Sequence, residues 1–171
     1  MAVNGKKKGN SFEGKIAKLF SEKLQPLNFK RSEGSGARVG GQNAILAGNY
    51  SKLMLALFTG DVVPINECVE GNPKFKFCIE CKAYKEAERM EALFETSKIY
   101  SWLEEIRIDA EKIDKSGIVI FKFNNTPIYC AVGANIEFPF DVKYVRLIDG
   151  EKVCHLDDLI LHRSFWIEEI I

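Results

Sequence analysis

At 171 residues and 46% hydrophobic content, the chain has the size and composition of a single globular domain, which argues against a disordered protein. No apolar run reaches the roughly 18 residues needed to span a membrane. The formal charge is zero but unevenly spread: residues 1–60 carry ten Lys and Arg against three acids, and the remainder carries 14 against 21. That asymmetry points to a polyanion-binding surface in the basic part.

The opening MAVNGKKKGN is basic and leads into polar, helix-like sequence rather than an apolar stretch. It reads as a flexible basic arm over residues 1–9 and not as a secretory signal, so the expected setting is intracellular. Residues 10–171 read as one domain. SFEGKIAKLFSEKL has Phe12, Ile16, Leu19, Phe20 and Leu24 at helical spacing, with Asn10 or Ser11 as cap and Pro26 beyond its end. FKRSEGSGARVGGQNA is a polar, glycine-rich loop. The following AILAGNYSKLMLALFTGDVVPI is mixed strand or helix and ends in a strand beginning near Asp61. CVEGNPK carries turn residues, so residues 61–82 suggest a β-hairpin. EAERMEALFETSKIYSWLEEIRIDAEKIDK is helical, as one helix or two. GIVIFKF and PIYCAVG are successive strands joined at Asn124 and Asn125, and the tail holds one or two more short strands. Helix, strands, helix, strands in that order fit an α/β or α+β domain with a mixed central sheet covered by helices.

The five cysteines are dispersed and mostly within apolar runs, which suits buried reduced thiols better than a disulfide framework. Cys78 and Cys81 have a metal-like spacing, but on a strand they point to opposite faces and cannot share a zinc ion. GSGARVGG lacks the Lys-Ser/Thr ending of a phosphate loop. His155 and His162 have no nucleophile partner in the sequence, and Trp102 and Trp166 read as packing residues.

The stretch FKFCIECKAY carries the chemistry. Phe75, Phe77 and Ile79 form one apolar face, while Glu80 and Lys82 share the other, two residues apart. On spacing alone this reads first as a surface ion pair on a solvated edge strand. A hairpin would bring Asp61 and Glu80 together, and Glu13 lies on the inward helical stripe with Ala17, Phe20 and Leu24. Glu13 also completes a near capping box with Asn10.

This arrangement resembles the PD-(D/E)XK nuclease superfamily. The matching residues are Glu13 in the first helix, Asp61 in TGDVVP and the Glu80-Cys81-Lys82 strand. The glycine-rich GSGA before GDV is similar to phage-borne members and to Holliday-junction resolvases. The resemblance departs at Gly60, where relatives often carry proline, and at Glu104, where many carry glutamine. It implies a restriction-endonuclease-like fold and a Mg²⁺- or Mn²⁺-dependent DNA endonuclease that leaves 5′-phosphate ends. It further implies Asp61, Glu80 and the Cys81 carbonyl as metal ligands, with Glu13, Asp61, Glu80 and Lys82 as catalytic residues. A hard cation suits carboxylate oxygens, and a lysine beside them can orient water and stabilise negative charge. Lys6, Lys7, Lys8, Lys15 and Arg38, with Lys30 and Arg31 as further candidates, are expected to meet DNA phosphates. Branched DNA such as a Holliday junction is the expected substrate, a homodimer the possible assembly, and the cytoplasm of a bacterial or phage-infected cell the setting. The alternatives are a restriction-like or repair nuclease, and a catalytically silent nucleic-acid-binding protein that keeps the fold.

Overall fold

The computed structural model describes the backbone of residues 5–32, 52–84 and 98–170, and the side chains of all of these except 5–8, 52 and 53. The elements run in chain order as α1 (Gly5–Lys23), β1 (Phe29–Arg31), α2 (Lys52–Ala56), β2 (Val62–Pro64), β3 (Lys74–Phe75) and β4 (Phe77–Ala83). They continue as α3 (Lys98–Glu111), β5 (Ser116–Lys122), β6 (Tyr129–Val132), β7 (Tyr144–Arg146), β8 (Lys152–His155), α4 (Leu156–Leu159), α5 (Arg163–Trp166) and β9 (Ile167–Glu168).

Seven strands form one mixed sheet in the order β1-β2-β4-β5-β6-β8-β7, and β3 pairs with β9 in a second, two-stranded sheet. Only β4 and β5 run parallel; the other pairings in the large sheet are antiparallel. A parallel pair needs a crossover, and the segment that holds α3 supplies it. Helices on both faces explain why the central strands are apolar almost throughout. On β5, Ile118 and Ile120 join the cluster that holds Phe12, Ile16, Phe20 and Leu24 of α1. The alternate residues Val119 and Phe121 join Trp102, Leu103 and Ile106 of α3. Gly117 lets α3 come this close, since a Cβ there would lie 2.8 Å from the Ile106 side chain.

Four expectations change. The first helix begins at Gly5, so residues 5–9 are helical, and Asn10 lies inside the helix where it cannot cap. Residues 61–82 do not form a simple hairpin: β2 and β4 share one pair, Val62 with Ile79, and β3 between them pairs with β9 instead. The tail is more ordered than its sequence suggests, with Trp166 fully buried against Phe20, Phe75 and Phe77. The start of the expected glycine-rich loop, Phe29–Arg31, is instead the strand β1; the rest of that loop, from residue 33, and the acidic half of the helical stretch, residues 85–97, lie outside the described residues, as do Arg38 and the side chains of Lys6, Lys7 and Lys8. Among the described residues no helix is long and apolar enough to cross a membrane.

Candidate active site

The site sits where β2 leaves β4. After the pair Val62–Ile79 the register breaks, with Asp61 as well as Val62 set against Ile79 and Glu80 the next residue along β4. On the other side Arg31 faces Val62, which sets Ser32 opposite Asp61. The strands separate here because Asp61 uses both its main chain and its side chain on β4. Its N–H donates to the Ile79 carbonyl at 2.7 Å, and its Oδ2 accepts the Cys81 N–H at 2.8 Å. Gly60 makes the turn into this position at φ 86°, a conformation that glycine adopts without steric cost.

Glu80 pairs with Val119 across the parallel ladder, so it lies on the α3 side of the sheet. Lys82 projects from the same face, and its Nζ donates to Glu80 Oε1 at 2.7 Å. Glu105 of α3 brings a second carboxylate to 3.9 Å from the same ammonium. Glu13, on α1, is nearly buried and receives a 2.5 Å bond from Arg31 Nε. The bond back to a cap that the Asn10 spacing suggests is therefore replaced by a tie from helix to β1.

The electrostatics describe a site with surplus negative charge. Burial pushes the Glu80 pKa up, the nearby Asp61 charge pushes it further, and Lys82 offsets only part of this. Burial likewise raises Glu13, with Arg31 opposing and Asp61 adding to the rise. For Lys82, burial acts downward, but the hydrogen bond to Glu80 and the charges of Glu80 and Glu105 outweigh it, and its pKa ends raised. Lys82 is thus a standing cation and hydrogen-bond donor, not a base.

Among the described residues, no group of three or more His, Cys, Asp or Glu side chains is arranged to hold a metal ion. The fork instead offers two carboxylates and a main-chain oxygen. In an extended strand a residue's N–H and C=O point to the same side, so the Cys81 carbonyl opens toward Asp61 as its N–H does. Such a set fits a hard cation that keeps several waters, in the manner of Mg²⁺. It does not fit tetrahedral zinc, and the thiols do not change this. Cys78 is buried in the α3-side cluster while Cys81 packs toward α1, and burial raises both thiol pKa values.

A family model described as "Phage putative PDDEXK endonuclease" matches residues 4–144. The chain belongs to this family. It is therefore a member of the PD-(D/E)XK nuclease superfamily, and its mixed seven-stranded sheet with flanking helices is a restriction-endonuclease-like fold. Searches of curated proteins and of solved structures found no match.

Of the residues singled out by sequence, Asp61, Glu80, Cys81 and Lys82 come together at the fork, with Glu13 within electrostatic reach of Asp61. Lys15 is exposed on α1. Glu104 is elsewhere: it forks with Arg107 and lines a cavity of about 430 Å³ beside Ser116 and Gly117, at the opposite end of the parallel strands. The helical residue that approaches Lys82 is its neighbour Glu105. Helical phase contained that signal, because Trp102 and Ile106 face the sheet and place Glu105 nearer the strand than its flanking pattern suggests. Ser32 and the Arg31–Glu13 tie had no signal in spacing, since both depend on strand register.

Proposed function

We propose that the protein is a Mg²⁺-dependent endonuclease that hydrolyses phosphodiester bonds of DNA, with branched DNA as its preferred form, acting in the cytoplasm of a phage-infected cell, with a homodimer as its assembly. The observation that carries the reading is the convergence of Asp61 and Glu80 at one fork with the Lys82 ammonium bonded to Glu80. Burial and then the Asp61 charge raise the proton affinity of Glu80, which makes its ionised form costly in the fold, and a divalent cation relieves that cost.

In this reading Asp61, Glu80 and the Cys81 carbonyl hold the ion. The ion supplies Lewis-acid polarisation of the phosphate and a water of lowered pKa. Lys82 keeps its proton and donates to the oxygen on which charge develops, where a preorganised donor is most effective. Glu80 holds the Lys82 ammonium in place through Oε1, and Glu105 steadies it from the helix side. Glu13, tied to Arg31, orients water at the rim of the site. Lys15, Lys30 and Arg38, with the helical lysines at 6–8, meet the DNA backbone.

The test combines the protein with Mg²⁺ and with branched, linear duplex and single-stranded DNA. Branched DNA should be cut fastest, and Lys82→Ala should bind DNA as before while cutting roughly 10² to 10³-fold more slowly. Binding without cleavage of any substrate would leave the silent DNA-binding protein as the answer. Lys82→Ala cutting at the wild-type rate would remove Lys82 from the mechanism.

A further inference from the structure

One polar group beside the fork has no role in the scheme above. Ser32 is 1% exposed, and its hydroxyl oxygen is buried with no hydrogen-bond partner among the described residues. Its main-chain N–H donates to the Asp61 carbonyl at 2.9 Å. The hydroxyl is the orphan.

Its position follows from register. Arg31 faces Val62, so Ser32 faces Asp61 across β1 and β2, on the opposite face from Arg31. The Asp61 carboxylate crosses the fork to the Cys81 N–H, next to Glu80. Beyond Glu80 the sheet is apolar through Val119, Ala131 and Val153. Arg31, one residue earlier, points the other way, to Glu13.

A buried hydroxyl without a partner costs about 1–3 kcal/mol relative to a satisfied one. Native proteins keep few such groups, and each calls for an explanation. Asp61 Oδ2 takes the Cys81 N–H and Glu80 Oε1 takes Lys82. A water on a cation held by these acids gives its oxygen lone pair to the ion and turns its hydrogens outward, so it needs an acceptor, and the Ser32 hydroxyl oxygen can be one. We propose that Ser32 is a positioning residue of the cation site, its hydroxyl oxygen accepting a hydrogen bond from a water carried by the ion held at Asp61 and Glu80. This rests on the metal reading above and assigns the site a third side chain, from β1. Groups that hold a metal's own ligands in place typically change its affinity 10–100-fold when removed.

Ser32→Ala separates this role from a structural one because the two predict opposite changes. Removing an orphan hydroxyl should leave the metal-free protein as stable as wild type, or raise its melting temperature. Removing an acceptor for a bound water should weaken Mn²⁺ binding roughly tenfold, read by titration calorimetry or by electron paramagnetic resonance of the free ion. Asp61→Asn serves as the control that abolishes binding. Mn²⁺ affinity unchanged in Ser32→Ala overturns the proposal while leaving the metal reading intact. A fall in both Mn²⁺ affinity and metal-free melting temperature makes Ser32 structural and also overturns it. If wild type itself binds no Mn²⁺, the metal reading falls and this proposal with it.

Discussion

Glu80 sets the pH behaviour of the site. Its pKa and that of Glu13 are raised, in each case first by burial and then by the charge on Asp61. A carboxylate whose folded pKa lies above its unfolded one adds stability below the unfolded value, near 4.5, and that stability is lost as pH rises through the folded pKa. The metal-free protein should therefore be less stable at pH 7.5 than in mild acid as far as these two groups decide. Glu80→Gln should raise its melting temperature at pH 7.5 and flatten the slope between pH 4.5 and 7.5. Added Mg²⁺ should stabilise wild type more at pH 7.5 than at pH 5, because protons compete for the ligands. A Glu80→Gln protein with the wild-type pH slope would show that Glu80 is not under this strain. At this scale Glu80 and Lys82 were legible, because period two on one strand fixes their shared face. Ser32 and Glu105 were not, because their neighbours belong to other elements.

At the scale of elements, the decisive feature is the turn into β2. Gly60 has φ 86°, and a Cβ there would lie 2.8 Å from the Ile79 carbonyl oxygen and 3.0 Å from Cys78 Sγ. This explains why proline cannot occupy the position before Asp61 in this chain: its ring locks φ near −65°. Gly60→Ala should cost about 1–3 kcal/mol from backbone strain alone, measured by urea unfolding, and should weaken Mn²⁺ binding because Asp61 shifts with it. Wild-type stability in that variant would mean the turn can be remade. The amphipathic α1 and the apolar β5 and β6 were readable from periodicity. The two-residue strands β3 and β9 were not, since two residues contain no period. The start of α1 was misplaced because Asn10 and Glu13 imitate a cap, whereas Glu13 is engaged by Arg31 and the helix runs back to Gly5.

The molecule as a whole is closed by its C-terminal part. The family match ends at residue 144, at the first residue of β7. The sheet does not end there: β8 pairs with β6 through four residues, and Leu156, Leu159 and Trp166 belong to the same core as α1. Trp166 donates its indole N–H to the Leu159 carbonyl at 3.0 Å, so both its ring and its polar atom are satisfied. Trp166→Ala should destabilise by about 3–5 kcal/mol in urea unfolding. A loss under 1 kcal/mol would show that the tail merely rests on the core. Composition foretold a sizeable core but not which segment seals it, because Trp166 has no sequence neighbour that announces its aromatic partners. The sealing also has an order in time. Phe20 and Phe75 can complete their ring cluster only after the far later Trp166 exists. A chain growing from its N-terminus therefore leaves β3 without its partner β9, and Phe20 and Phe75 without the indole, until residues 166–168 emerge.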